Sequence, residues 1–579
     1  MIWYVENHIR SRSEREALEA LATSVDWLAP VGWRIDASLR LIWDVDISTT
    51  GRVFQVSLCY PNHFPYSPPL VLPRGSKDRW SSHQYGEGGE LCLEYGPDNW
   101  HPDLTGAEMI VSAHRLLESE AGEANERGIV ASRHKTTLGQ DLRFAFDRFL
   151  VTRSLAKFAA GLGEPVLLAA VMVMLFRKET YTHVLTSVDL AEGGKWSDPM
   201  FPAALLFEAY ERPAALIRWP ETKPLPSTDT LEGFKEEIAS AGLTLPDVRK
   251  LVLVHGSSFT AYSLWDDKTV TELSIIPAQP EAERLDKDHQ ALRDRKVSVV
   301  GCGSLGSKVA VMMARAGVGK FLLVDDDLLL PDNFVRHDLD WRDAGTHKAD
   351  SLARRIQLVN PVAKSEKRKH RLGGQESSGS IETLIKNLAD SDLIVDCTSD
   401  AKVFNYLCAA VAIAKKPLLW AQLFGGGFGG MIARHRPNLE PAPATMRSII
   451  ENWWQERGLP AQTAAVDYRT TTDIPLIADD ADVTVIAANA ARLGIDTLIP
   501  RDPSAYPYSV YMIGLAKWGV FESAFDTYPI AVGLPSAQEV ADKSDPEEAA
   551  AELARIVQLI MEHKDEDSSG APDSAPPSR

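Results

Sequence analysis

The run Lys296-Val297-Ser298-Val299-Val300-Gly301-Cys302-Gly303-Ser304-Leu305-Gly306, with Phe321-Leu322-Leu323-Val324-Asp325 after it, decides the fold of the C-terminal half. An apolar strand enters a glycine-rich turn, the turn opens an apolar helix, and a second apolar strand ends on a carboxylate. Glycines at 301, 303 and 306 permit a tight turn and close backbone approach to phosphate, and a helix N-terminus favours negative charge. Asp325 suits a ribose hydroxyl. These features fit a nicotinamide-dependent oxidoreductase as readily as an ATP site. Further strands are expected at 393–396 and 417–423 with helices between them, so the region reads as α/β with a mostly parallel sheet.

The residues that follow discriminate. Asp325-Asp326-Asp327 precedes Asp332-Asn333-Phe334-Val335-Arg336-His337, then Gly345-Thr346-His347-Lys348, then Asn360-Pro361. Hydride transfer has no need of this set. Nucleotidyl transfer does, because it takes Arg and Lys on a triphosphate, carboxylates for Mg²⁺ and ribose, and an amide to position phosphates. Across 285–535 the pattern resembles the adenylation domain of the ubiquitin-activating, ThiF/MoeB-like superfamily, a Rossmann-type α/β domain. The resemblance implies ATP and Mg²⁺ as cofactors. It places Gly301, Gly303 and Gly306 at the nucleotide, Asp325 on the ribose, and Asp327, Asn333, Arg336 and Lys348 along the phosphates. Asp332 and His337 stand where that family has Ser and Gln. The family's metal-binding Asp maps near Asp396-Cys397-Thr398-Ser399-Asp400, shifted by one residue to Asp400. The bland alternative there is a helix cap.

The other informative stretch is 54–117. It holds Tyr60-Pro61, Phe64-Pro65, Pro68-Pro69, His83-Gln84-Tyr85, Gly89-Glu90-Leu91-Cys92-Leu93 and Trp100-His101-Pro102. These features, in this order, resemble ubiquitin-conjugating domains, an α+β fold. The resemblance implies that Cys92 carries an acyl group as a thioester. Tyr85 stands where that family has an oxyanion-stabilising Asn, and a phenol can donate in its place. His83 would orient the loop or act as base, and Asp98 and His101 would deprotonate an incoming amine. Their alternative is loop packing. The remaining cysteines, Cys59, Cys302, Cys397 and Cys408, fall on strands or apolar helices, where buried and inert is the common state.

Composition bounds the rest. The chain has 579 residues and 45% hydrophobic content, and 61 Lys and Arg against 80 Asp and Glu give a net charge of −19. That argues against a basic nucleic-acid-binding surface. Five cysteines without a C-x-x-C pair argue against a disulfide framework or a four-cysteine zinc site, and fit a reducing cytoplasmic compartment. The apolar run 166–176 is too short to span a bilayer and reads as a buried helix. No secretory leader pattern opens the chain.

The expected organisation is a ubiquitin-conjugating-like domain at 1–150, a mixed linker or docking domain at 151–285, the ThiF-like adenylation domain at 286–540, and an acidic helix with a disordered tail at 541–579. In the first unit Ser13 and Glu16, in capping-box spacing, are expected to open a helix. Period-2 apolar positions over 33–47 predict one long strand or a tight pair. A helix is expected at 544–563, and disorder from 565 onward.

Both halves in one chain resemble bacterial fusions found in antiphage operons with cyclic-oligonucleotide signalling. The resemblance implies ATP-dependent activation of a protein C-terminal glycine, transfer to Cys92, and ligation to a target lysine. The activated partner would be a ubiquitin-like protein or a cyclic-oligonucleotide synthase C-terminus, and the enzyme a homodimer. Activating enzymes of this type usually carry their own late cysteine, whereas here none follows Cys408, so direct transfer of the acyl adenylate to Cys92 is expected. A non-catalytic scaffold and a sulfur-transfer enzyme are the remaining alternatives.

Overall fold

The computed structural model describes residues 2–81, 83–86, 88–120, 137–278, 287–372, 374, 378–458, 478–499, 501–536 and 546–568. The chain divides into two compact units, Met1–Phe144 and Ala145–Arg579.

The first unit is a helix, a four-stranded antiparallel meander and a second helix: α1 (His8–Ser24), β1 (Leu28–Ile35), β2 (Leu41–Thr49), β3 (Arg52–Cys59), β4 (Leu70–Pro73) and α2 (Gly106–Ser119). Leu18 of α1, Val45, Val56 and Leu58 of the sheet and Ile110 and Ala113 of α2 form one core. The period-2 run is a strand pair. The chain reverses at Asp36, whose carboxylate accepts from the Ser38 and Arg40 amides at 2.9 Å each. Ser13 does not open α1, which starts earlier because the Asn7 side chain caps it by accepting from the Arg10 amide at 3.1 Å.

In the second unit the expected boundary at 150 falls inside a sheet. The strand β5 (Asp147–Leu150) pairs on one edge with β12 (Val270–Ile276) and on the other with β7 (Thr180–Asp189). These pairings close β5, β12, β11 (Ser258–Leu264), β10 (Lys250–His255), β9 (Tyr210–Arg218), β6 (Val166–Arg177) and β7 into a ring, with β8 (Lys195–Ser197) on the rest of the β7 edge. The apolar run 166–176 is therefore strand, not helix. Apolar side chains lie on both faces of the ring, Leu168, Ala170 and Met172 in one core and Leu167 against another, so the run lacks the apolar–polar alternation of a half-exposed strand even though Ala169 and Phe176 are exposed. Helices α3 (Arg153–Ala160) and α4 (Leu231–Ser240) pack against this sheet.

The rest of the unit holds an eight-stranded sheet. Five parallel strands lie in the order β15 (Lys364–Arg368), β14 (Lys320–Val324), β13 (Lys296–Val300), β16 (Leu393–Asp396) and β17 (Leu418–Leu423). β18 (Gly429–His435), β19 (Val510–Gly514) and β20 (Thr527–Ile530) continue it antiparallel. One face is covered by α5 (Ser304–Ala316), α6 (Lys348–Val359) and α10 (Asp480–Leu498), the other by α7 (Ser378–Ala389), α8 (Ala401–Ala414) and α9 (Pro443–Gln455). After β15 the chain crosses to the far side of β13 to form β16. This switch opens a crevice at the carboxyl ends of β13 and β16, the usual ligand position in such sheets. The final helix, α11 (Pro546–Ser568), runs past its expected end at 563, so residues 565–568 are helical; 569–579 lie outside the described residues, as does Ser544. Among the described residues no helix is long and apolar enough to cross a membrane.

Candidate functional site

The glycine turn lies in that crevice. A Cβ at Gly306 would fall 1.9 Å from the Gly301 carbonyl oxygen, and Gly301, at φ +86°, would press one against Thr398 and Cys397 of the β16 end. Both positions therefore demand glycine. Gly303 has nothing within 4 Å of where its Cβ would be and precedes the first turn of α5, so that side of the loop is open to a ligand.

Asp325, at the end of β14, accepts from the Cys302 amide at 2.7 Å and the Asp327 amide at 2.8 Å. Burial raises its carboxyl above the usual range, against the pull of those amides. Lys348 is buried at the start of α6 and forms an ion pair with Asp327. Burial alone would raise the Asp327 carboxyl, but the Lys348 ammonium outweighs it and holds it below its ordinary value. Asn333 sits on a short 3-10 turn and accepts from the Leu330 amide at 2.9 Å, and the Arg336 amide bonds the Asn333 carbonyl at 3.2 Å. Asn333 and Arg336 thus share one turn.

His337 ties this turn to the glycine loop. Its Nδ1 accepts from the Leu339 amide at 3.1 Å, so Nε2 carries the proton donated to the Cys302 carbonyl at 2.9 Å. Its pKa is lowered from 6.5 to about 4, chiefly by burial. The Cys302 bond opposes that shift, and the charges of Lys348 and Lys308 add to it. The unfolded chain therefore takes up a proton near pH 6.5 that the folded one refuses until about 4. Stability should be flat above pH 6.5 and fall by on the order of 3 kcal/mol between there and pH 4. Chemical denaturation across that window should show the slope in the native protein and a weaker one in His337→Gln, which keeps a donor but cannot protonate.

Asp400 caps α8, its carboxylate accepting from the Lys402 amide at 2.8 Å. The cap is thus real, and the second carboxylate oxygen remains for a ligand. Asp396 lies in the same segment, buried, and accepts from the Thr398 amide at 2.9 Å and hydroxyl at 2.7 Å. Burial raises it to about 6, the Thr398 bonds oppose this and the Asp400 charge adds to it. Among the described residues no group of three or more His, Cys, Asp or Glu could hold a metal by itself. One half-exposed carboxylate still fits Mg²⁺, which keeps several waters and takes its other ligands from substrate phosphates.

Two residues here escaped sequence reasoning. His337 was visible only as a departure from a pattern. Lys308, on α5, is buried and paired with Asp480 at 2.7 Å, across 172 positions of sequence that no local signal spans.

The first unit holds Cys92 in a short hairpin. The Cys92 amide donates to the His83 carbonyl at 2.6 Å, the Tyr85 amide to the Glu90 carbonyl at 2.9 Å, and Gln84 bridges to Leu91. This register brings the Tyr85 hydroxyl to the Cys92 thiol as a hydrogen-bond donor. Burial raises the Cys92 thiol, the Tyr85 bond opposes this, and the charges of Asp98 and Glu90 add to it. Tyr85 is 62% exposed, so the pair faces solvent on one side. His83 holds Cys92 through its backbone carbonyl. His101 pairs with Asp103 at 3.3 Å. Cys59 and Cys302 are buried, and burial also raises the thiols of Cys397 and Cys408. The Trp100 indole donates to the Pro65 carbonyl at 2.7 Å, closing the proline-rich loop.

A parallel sheet with a glycine turn at its switch point, flanked by Asp325, the Asp327–Lys348 pair and Asp400, defines a Rossmann-type α/β domain. Residues 280–455 match the ThiF family. The chain is similar to the ATP-dependent ubiquitin transferase-like protein Cap2 of Pseudomonas aeruginosa (strain BWHPSA011 / Pa011), 29% identical over 131 residues, 22% of each chain. It is also similar to the sulfur carrier protein ThiS adenylyltransferase of Escherichia coli (strain K12), 31% identical over 144 residues, 25% of this chain and 54% of that one. The match thus spans about a fifth of the first relative's length and about half of the second's. The crystal structure of E. coli MccB with ATP aligns over 43% of this chain and 67% of that chain, at 16% identity and a TM-score of 0.33.

Proposed function

We propose that this chain is an ATP-dependent activating and conjugating enzyme. A carboxylate oxygen of a polypeptide C-terminus attacks the α-phosphorus of ATP, and pyrophosphate leaves. The Cys92 thiolate attacks the acyl-adenylate carbonyl, and AMP leaves. An amine, such as a target lysine, then attacks the thioester and the Cys92 thiolate leaves. The observation that carries the first step is the buried Lys348 held against Asp327 beside the open glycine turn. A cation fixed there stabilises charge developing on transferred phosphates.

Each residue has a role in this reading. Asp325 takes the ribose hydroxyls, Gly301, Gly303 and Gly306 let the phosphates approach, and Asn333, Arg336 and Lys348 line them. Asp400 would hold Mg²⁺, which neutralises phosphate charge when bound. Tyr85 donates to the sulfur and then to the carbonyl oxygen of the thioester. Asp98 is, with Glu90, one of two carboxylates whose charge reaches Cys92, which suits it to receive a proton from the amine.

The helix–meander–helix of the first unit, with Cys92 on a hairpin after the proline-rich loop, supports the conjugating half. The similarity to a ubiquitin transferase-like protein and to a sulfur-carrier adenylyltransferase supports the activating half. A role in antiphage defence, acting on a ubiquitin-like protein or a cyclic-oligonucleotide synthase as a homodimer, completes the reading. ATP–pyrophosphate exchange measured beside NAD binding tests it. Exchange that depends on an added polypeptide C-terminus is expected. NAD binding without any exchange would favour an oxidoreductase.

A further inference from the structure

A cavity of about 80 Å³ opens next to Asp400, between the carboxyl ends of β16 and β17, the first turn of α8, and α9. Its walls are Phe404, Trp420, Met431, Ile450 and Trp454, each under 7% exposed. The exposed Ser399 and Ala401 mark its mouth. Four charged residues complete the lining: Arg447 and Glu451 of α9 pair at 2.9 Å, with the Arg447 guanidinium 5.4 Å from the Phe404 ring centre, while Asp396 and Asp400 at the β16 end give the cavity an excess of carboxylates. Apolar walls with an excess of carboxylates reward an apolar guest and penalise an anionic one.

Strand order says which guest. The sequence across the sheet is β14, β13, β16, β17, so Asp325, the glycine turn, Asp400 and the cavity follow one another along the crevice. The ribose position is at one end and the cavity at the other, with the phosphate position between them. A base attached to that ribose lies on the Asp325 side. The cavity adjoins the side from which a carboxylate would reach the α-phosphorus.

We propose that this cavity is a specificity pocket for one apolar side chain among the last three residues of the activated polypeptide. The proposal rests on the adenylation reading above and adds to it a side-chain preference close to the reacting carboxylate. The aromatic walls exclude water around that side chain and fix the tail, so that its terminal carboxylate is directed past Asp400 toward the phosphate position.

The test uses the full chain, α,β-methylene-ATP, and acetylated glycine pentapeptides carrying one leucine or one aspartate at each of the last three positions. Calorimetry measures peptide affinity with the analogue bound. Leucine at one position should bind about 10- to 100-fold tighter than glycine or aspartate there, the gain from burying one apolar side chain. Ala401→Trp, a change at an exposed position, should erase that preference. Ile450→Ala should move the preference from leucine to phenylalanine. Analogue affinity, measured in every variant, separates the failures. A native protein that does not bind the analogue sinks the adenylation reading. With the analogue bound, equal affinity for leucine and aspartate peptides at all three positions, or no peptide binding at all, overturns the pocket alone. An Ala401→Trp protein that loses analogue affinity while keeping the leucine preference would assign the cavity to the base and also overturns it.

Discussion

Lys348→Met should lower ATP–pyrophosphate exchange by about 10²- to 10³-fold, the usual cost of removing one preorganised donor from a developing oxyanion. Methionine keeps the apolar stem that packs at the start of α6 and removes only the ammonium. The fold should tolerate this, because the partner is not stranded: the Asp327 side chain is 65% exposed and returns to water. Thermal unfolding should therefore move little while exchange collapses. Lys348→Arg should recover only part of the rate, since the planar guanidinium is larger than the compact ammonium it replaces and spreads its charge. Exchange within a few-fold of native in Lys348→Met would place phosphate stabilisation elsewhere in the crevice.

Cys92→Ser should convert the reducible thioester into an oxyester that resists thiols and survives on denaturing gels, and Cys92→Ala should abolish both. Neither change should affect ATP–pyrophosphate exchange, because adenylation precedes acyl transfer. A second signature comes from the charge state of the thiol. Burial and the charges of Asp98 and Glu90 hold Cys92 above the ordinary thiol value of 9.0 despite the Tyr85 bond. The thiolate, the reactive form, is thus a minor species at neutral pH, and single-turnover thioester formation should rise with pH through 8 and 9. Tyr85→Phe removes the one bond that favours the thiolate, so it should push that rise to higher pH. A reducible thioester in the Cys92→Ala protein would overturn direct transfer and require another thiol.

The parts of this protein readable without coordinates are those written in adjacent residues. The strand–turn–helix at 296–306 is local, since an apolar strand, glycines and a helix start occupy consecutive positions, and β13 ends at Val300, just before the first glycine. The order Asp325, Asp327, Asn333, Arg336, Lys348 was equally legible, because these residues come from loops that follow one after another at strand ends. The hairpin around Cys92 is local too, with Gly89 between its arms.

What stayed hidden depends on residues distant in sequence. The run 166–176 carries no periodicity that separates helix from strand. Only its pairing with β7 and with β9, more than 30 residues later, makes it strand, and only the β5–β7 pairing closes the ring. The edge strand β15 is largely polar, Lys-Ser-Glu-Lys-Arg, so it has no apolar signature and forms because the β14 edge is there to receive it.

The sequence by itself thus determined the local framework: the strand–glycine turn–helix, the run of loop residues that follows it, and the cysteine that stands in a hairpin. The tertiary structure alone decided how those groups are tuned. It placed the Tyr85 hydroxyl on Cys92, set His337 between two loops as a neutral imidazole, and opened the apolar-walled cavity beside Asp400. Local residues suffice for a turn or a cap. A hydrogen bond between loops, a buried charge pair or a cavity exists only where strand order brings separate segments to the same crevice.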